Sequence, residues 1–210
     1  MGLAVTLLLA VTALFAVWTL TVEISYYRSI VDLIRDTFTG TARDIDRLEQ
    51  SAIVANLLFL IASIVTGIVW LVWLHRRYQN LRSLGRPPKY SPASAVWSWF
   101  VPIFNLIRPY QVTSDLWVRS EPDEVLPRGG SPNVVRLWWG ALLSSGFLTR
   151  AIHAGDPETL EDFRGVAFGD IVVDVLWIAA AVLAIVTVRD IERRQVALAV
   201  RLDRMPVEQG

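Results

Sequence analysis

Residues 91–119 have the sequence SPASAVWSWFVPIFNLIRPYQVTSDLWVR, and this stretch decides how the rest of the chain is arranged. It is too polar to span a bilayer and too apolar to be an ordinary loop. Ser91 and Pro92 favour a helix start, because serine caps free amide groups and proline lacks the amide that would stay unpaired. The pattern predicts one helix from Pro92 to about Phe104 and a second helix that begins at Pro109.

Neither of these two helices can cross a membrane, because each has about a dozen residues and a crossing needs roughly 20. The segment either lies flat in the membrane interface or forms a re-entrant hairpin with Asn105 to Arg108 at its tip. The flat arrangement is favoured, since tryptophan and tyrosine prefer the interface and an arginine at depth is costly. Residues 121–132, which follow, are predicted to form a flexible polar loop. The candidate interfacial motif consists of aromatic, proline and amide residues: Trp97, Trp99, Phe100, Pro102, Asn105, Pro109 and Tyr110.

The composition of the 210-residue chain is that of a membrane protein. Hydrophobic residues make up 53% of it, and its mean hydropathy is +0.43. The 20 basic and 20 acidic residues balance, which argues against a general nucleic-acid partner. The absence of cysteine from the sequence excludes disulfides and thiolate chemistry. All basic residues but one are arginine, a bias typical of GC-rich bacterial genomes.

Four segments have the length and apolar character of membrane-spanning helices. They cover residues 3–22, 53–74, 134–152 and 166–188. Between the first two, apolar residues continue at helical spacing to Phe38, so we expect the helices to extend beyond the bilayer as a hairpin, with Gly40 as the stop and Thr41 as the next cap. We therefore expect an all-α polytopic membrane protein, folded as a single membrane domain over residues 1–210. It would have four transmembrane helices and an interfacial or re-entrant helix–break–helix between helices 2 and 3.

The distribution of arginine and lysine predicts the orientation, because cytoplasmic loops are enriched in positive charge. Residues 75–136 and 189–210 contain nine and five of them, whereas residues 23–50 and 153–165 contain four and one. We therefore expect an inner (plasma) membrane protein of a bacterial cell with both termini in the cytoplasm. A fifth span at residues 91–119 would move the basic C-terminal tail outside, which argues against it.

Several polar residues fall at one predicted depth, near the outer ends of the spans. These candidates for a polar site are Glu23, Asn56, Arg150, His153, Asp170 and Asp174. Ionisable groups inside a membrane segment are costly and usually pair or line a polar cavity. We expect Arg150 to pair with one aspartate, and Asp174 is the more deeply placed of the two. Such a pair leaves the other carboxylate without a basic partner. Two interpretations are therefore possible: an ion pair that only joins two helices, or a polar site with a function.

Motifs of the common enzyme classes are missing from the sequence. Its two histidines, His75 and His153, lie on different predicted sides of the membrane, and no H-E-x-x-H motif is present. No G-x-S-x-G motif, phosphate-binding glycine loop or dinucleotide fingerprint occurs either. Ser144 and Ser145 lie more than two helical turns from His153, beyond hydrogen-bond reach. The sequence therefore predicts a protein that is not an enzyme, with no catalytic residue, metal or cofactor.

The central stretch also carries a resemblance to a known family. From Trp97 to Tyr110 the residues follow the pattern W-x-W-F-x-P-I-x-N-L-x-x-P-Y, and Leu116 and Trp117 come next. This pattern is similar to the signature of a bacterial membrane-domain family, domain of unknown function four-three-two-eight. The resemblance covers about residues 53–199. It implies a membrane domain, and no activity, cofactor or catalytic residue is established for the family that would carry over.

Two kinds of function are compatible with these features. The leading hypothesis is a non-enzymatic scaffold, assembly or regulatory module in the lipid bilayer. It would associate with itself or with a membrane-protein partner through small residues, such as those from Gly140 to Gly146, and through residues 91–119. The alternative is a small oligomeric transporter or channel that uses the intramembrane carboxylates. Discontinuous helices beside such acids recur in transporters.

Overall fold

A computed structural model of the chain describes residues 1–122 and 133–204, which form six helices and no strand. The helices are α1 (Gly2–Ile34), α2 (Ala42–Ser83), α3 (Pro92–Trp97), α4 (Phe104–Arg119), α5 (Asn133–Ile152) and α6 (Leu160–Arg204). The all-α prediction is therefore confirmed for the described part of the chain. Most of the polar loop predicted at residues 121–132 lies outside it.

Three of these helices, α1, α2 and α6, are long and apolar enough to cross a membrane. They contain three of the four predicted spans, and they support the prediction of a membrane protein by length and composition. The fourth predicted span coincides with α5. The most apolar stretch of this helix is less apolar than those of the other three, because α5 contains two arginines, Arg136 and Arg150, and several small polar residues.

The helical hairpin between α1 and α2 forms near the residues that the sequence predicts. Helix α1 ends at Ile34, four residues before the predicted end, and Asp36 then takes a left-handed backbone conformation with φ of 56°. Helix α2 begins directly after Thr41. The Thr41 hydroxyl donates to the Asp44 carboxylate at 2.8 Å, and its amide donates to the same oxygen at 2.9 Å. These bonds fix the first turn of α2.

The segment of residues 91–119 has a helix, a break and a second helix, but the break is earlier than predicted. Ser91 caps α3 as expected, because its hydroxyl accepts a hydrogen bond from the Ser94 amide at 3.0 Å. Helix α3 then ends at Trp97, although the sequence predicts a helix to about Phe104.

Pro102 sets the position of this break. A proline lacks the amide donor of a helical residue and disfavours helical backbone at the residue before it. The chain turns over residues 98–103, and Ile103 has a φ of 69°. Helix α4 then starts at Phe104 and Pro109 lies inside it, so the prediction that Pro109 begins this helix is wrong.

The described residues fall into two compact units, and α1, α2, α5 and α6 each contribute to both. The first, here called the tryptophan unit, contains Met1–Leu7, Gly67–Trp139 and Leu183–Gly210. The second, here called the carboxylate unit, contains Leu8–Thr66 and Gly140–Val182.

Indole rings form the core of the tryptophan unit. The centroids of Trp70 and Trp138 are 5.2 Å apart, and those of Trp99 and Trp139 are 5.7 Å apart. The indole nitrogen of Trp139 donates to the Leu106 carbonyl oxygen at 2.8 Å. This bond attaches the first turn of α4 to α5.

Candidate functional site

One cavity of about 280 Å³ in the carboxylate unit brings together most of the polar residues that the sequence singles out. Glu23 of α1, Asn56 of α2, His153 after α5, and Asp170 and Asp174 of α6 all line it. They meet because each lies near the same end of the apolar part of its helix. Five of the six predicted residues therefore share one site.

The sixth residue, Arg150, does not form the expected pair with Asp174. Its guanidinium lies 3.5 Å from the Gly146 carbonyl oxygen on an exposed side of α5. Within the described part of the chain, no ion pair joins it to either aspartate of the cavity. Thr149 and His153 face the cavity. Because successive residues of a helix are rotated by about 100°, Arg150 points away from the direction of Thr149.

His153 is the basic residue that lies beside the acids instead. Its Nε2 atom is 3.7 Å from Oδ2 of Asp170, and its Nδ1 atom is 3.0 Å from the Thr149 carbonyl oxygen. Both ring nitrogens therefore face oxygen atoms. The side chain of His153 is 52% exposed, so this side of the cavity is open.

Asp174 is the most deeply buried acid of the cavity, at 8% exposure. Its Oδ2 atom has no hydrogen-bond donor among the described residues, while the Thr19 hydroxyl lies beside the carboxyl group. Asp170, one helical turn earlier, lies on the same face of α6. A buried carboxylate oxygen without a donor is costly, so Asp174 is the least satisfied polar group of this site.

Aromatic rings form another wall of the same cavity. Phe59 of α2 and Trp177 of α6 line it, with their ring centroids 5.4 Å apart in an edge-to-face arrangement. No three of the described histidine, aspartate and glutamate side chains are grouped closely enough to hold a metal ion. The negative charges are thus spread around a partly aromatic cavity and do not converge on one point.

The candidate interfacial motif divides into an inward and an outward set. Trp99 packs edge-to-face on Trp139, and Pro109 is buried. The outward set is apolar and includes Phe100, which is 71% exposed, together with Trp97 and Pro102. Their exposed neighbours are Ile103, Phe104, Leu106 and Ile107.

Polar contacts from Asp115 onward attach the last part of α4 to α2 and to the last part of α6. The Tyr78 hydroxyl donates to the Asp115 carboxylate at 2.5 Å, and Arg119 donates to the same carboxylate at 2.7 Å. The indole nitrogen of Trp117 donates to Asp190 at 2.7 Å. The exposed apolar residues of the break and of the first turn of α4 therefore lead into a helix that is attached at its far end.

The last part of α6 carries a further polar cluster that the sequence analysis misses. Glu192 pairs with Arg77 and accepts a hydrogen bond from the Trp73 indole at 2.8 Å. The amide group of Gln195 donates to the Arg77 carbonyl oxygen at 3.1 Å and lies 3.3 Å from the Ser120 hydroxyl. The alternation of acidic and basic residues over 189–194 was the available signal.

The helices and their apolar stretches define a helical membrane protein. A family model described as Domain of unknown function (DUF4328) matches residues 37–193, and the chain belongs to this family. This confirms the resemblance of the central motif. The match also begins earlier than the sequence analysis expects, since it includes part of the hairpin before residue 53. No curated protein and no solved structure matches the chain.

Proposed function

We propose that the chain is a non-enzymatic membrane module with four spans, and that it assembles with a second copy of itself. Helix α5 is the fourth span in this proposal. Its 20 residues are enough to cross the hydrocarbon. Arg136 and Arg150 lie near its two ends, where long side chains can extend their charged groups to the interface.

An open small-residue face on α5 carries this proposal. Gly140 and Ser144 are four residues apart, so they share one helix face, and both are exposed. No heavy atom of the described residues beyond the local helix backbone lies within 4 Å of the position that a Cβ atom at Gly140 would take. In membranes, small residues at this spacing let two helix backbones approach closely. A second copy of α5 fits, because such a face is self-complementary about a twofold axis.

The orientation of the module places both termini in the cytoplasm and the central segment flat at the inner surface of the bilayer. The excess of arginine in residues 75–136 and 189–210 supports this orientation. The exposed Phe100 and Ile103 would lie among the acyl chains. The Arg108 guanidinium lies 4.6 Å from the centroid of the Tyr90 ring, which suits the headgroup region better than the hydrocarbon.

The mass of the detergent-solubilised protein, measured by multi-angle light scattering, tests the assembly. We expect a dimer for the native chain and a monomer for Gly140→Leu, because the leucine side chain would separate the two copies of α5. The matched control is Gly165→Leu, since Gly165 on α6 is also open and lies before the predicted span. A native monomer, or a dimer that survives Gly140→Leu, would contradict the proposal.

A small transporter or channel is the second candidate function, and the carboxylate-lined cavity favours it. Acids in membrane helices often mark ion or proton pathways. Flux measured in liposomes at several pH values separates the two functions. A saturable flux that Asp174→Asn abolishes would replace the assembly function with transport.

A further inference from the structure

We infer that the cavity of the carboxylate unit is a binding site for a small organic cation of the ammonium type. This inference goes beyond the proposed assembly, because it assigns a ligand to a part of the chain that the dimer does not use. Three features of the cavity carry it: a buried acid with an oxygen that lacks a donor, an excess of acidic over basic side chains, and aromatic walls.

The unsatisfied acid is Asp174. The residue is 8% exposed, it lines the cavity, and its Oδ2 atom lacks a donor among the described residues. A ligand with positive charge in the cavity would stabilise this carboxylate electrostatically, even without donating a hydrogen bond. Because Asp174 is buried, an opposite charge beside it interacts more strongly than it would in bulk solvent.

The charge balance of the cavity also selects a cation. Glu23, Asp170 and Asp174 line it, and Glu23 is close enough to interact electrostatically with both aspartates. The only basic side chain in the described lining is His153, which lies beside Asp170. One basic side chain therefore faces three acidic side chains, and a bound cation would favour the ionised form of these acids.

The aromatic walls distinguish an organic cation from a metal ion. Metal ions need several oxygen or nitrogen ligands that converge on one point, and the described acids and histidines are not grouped in that way. Phe59 and Trp177 offer ring surfaces that attract alkylammonium groups by cation–π interaction. The volume of about 280 Å³ is slightly below the roughly 300–1,000 Å³ of common ligand pockets, so the ligand is small.

Calorimetric titration of the purified full-length protein with tetramethylammonium chloride tests this inference. We expect tetramethylammonium to bind saturably. The control ligand is tert-butanol, an uncharged molecule of similar shape, whose affinity should be lower by at least about tenfold. Sodium and magnesium chloride at equal ionic strength should not displace the organic cation. Equal binding of tert-butanol, or displacement by magnesium at comparable concentration, would overturn the inference.

Two variants locate the binding in this cavity. Asp174→Asn keeps the shape of the side chain and should weaken tetramethylammonium binding by at least about tenfold, while Trp177→Leu should weaken it several-fold. The matched control is Asp203→Asn, on an exposed position of the same helix outside the cavity, and it should bind like the native chain. Unchanged affinity in Trp177→Leu, or in a folded Asp174→Asn variant, would place the cation elsewhere. Thermal unfolding of each variant shows whether it is folded. If Asp174→Asn does not fold, the comparison of tetramethylammonium with tert-butanol and magnesium on the native chain tests the inference.

Discussion

The indole nitrogen of Trp117 donates a hydrogen bond of 2.7 Å to the carboxylate of Asp190, and so joins α4 to α6 within the tryptophan unit. The Arg194 guanidinium lies 3.6 Å from the centroid of the Trp117 ring and 3.2 Å from the same carboxylate. Arg194 also pairs with Glu121, just after α4. Trp117 and Arg194 therefore link the end of α4 to the last part of α6.

Replacement of Trp117 by phenylalanine should lower the free energy of unfolding by about 1 to 2 kcal/mol. The variant keeps an aromatic ring near Arg194, but it loses the donor to Asp190 and part of the ring surface. Thermal or denaturant unfolding in detergent measures the change. The control Trp18→Phe, at an exposed position of α1, should change stability by less than about 0.5 kcal/mol. Equal effects of the two substitutions would mean that the indole hydrogen bond contributes nothing.

The pair of Arg77 and Glu192 should show energetic coupling that the pair of Arg150 and Asp174 lacks. Arg77 and Glu192 form an ion pair whose side chains are mostly covered. A double-mutant cycle with Arg77→Met and Glu192→Gln should give a coupling energy above about 0.5 kcal/mol. The same cycle with Arg150→Leu and Asp174→Asn should be additive within that margin. Coupling between Arg150 and Asp174 would contradict the observed position of Arg150.

The sequence predicts well at which level of the membrane a residue lies. It predicts poorly in which direction around the helix axis its side chain points. Hydropathy marks where each helix enters and leaves its apolar stretch, so residues such as Glu23, Asn56 and Asp174 could be assigned to one level before their contacts were known. Antiparallel neighbours at one level then meet in one cavity. Helices that are apolar on most sides have a weak periodic pattern, so the direction in which Arg150 points could not be predicted.

Local signals located the starts of α2 and α3, but not the start of α4. Ser91 and Thr41 cap the helices that follow them, because a hydroxyl bond to the first turn depends only on nearby residues. The contacts of Trp117, Glu192 and Gln195 join residues distant in sequence. The alternation of charges over residues 189–194 marks a polar segment but does not specify such partners, so the cluster was found only from the structure.

Two glycines on α6 should respond in opposite directions to substitution by alanine. A Cβ atom at Gly169 would lie 2.8 Å from Cγ1 of Ile152, too close for two carbon atoms, whereas Gly165 has open space. Gly165→Ala should raise the free energy of unfolding by up to about 1 kcal/mol, because alanine favours the helix. Gly169→Ala should lower it by about 1 to 3 kcal/mol, since Ile152 must move. Thermal unfolding of both variants checks the difference, and equal stabilisation would refute the close packing of α5 on α6 at this point.

The first turn of α6 should loosen at low pH. The hydroxyl of Thr159 donates to Asp162 at 2.7 Å, and this hydrogen bond, together with backbone amide donors, holds the pKa of the Asp162 carboxyl below its usual value. A lowered pKa in the folded state means that the stabilisation is present above the unfolded-state pKa and is lost as the pH falls through the folded-state pKa. Hydrogen exchange of the first-turn amides should therefore accelerate in acid, and Asp162→Ala should remove that dependence. A native chain whose exchange protection does not change with acid would show that the cap contributes no stability.

The proposed topology predicts which residues an impermeant thiol reagent reaches in intact cells. The native chain contains no cysteine, so a single introduced cysteine is the only site of labelling. Cysteines at Asp46 and Glu158 should react, because both residues belong to the predicted outer segments and both are exposed. A cysteine at the exposed Ser83, on the predicted cytoplasmic side, should react only after the cells are opened. A cysteine at Gln209, outside the described residues, should behave like that at Ser83 if α5 crosses the membrane. Labelling at Gln209 in intact cells would contradict the four-span count: either α5 does not cross the membrane, or residues 91–119 cross it as a fifth span.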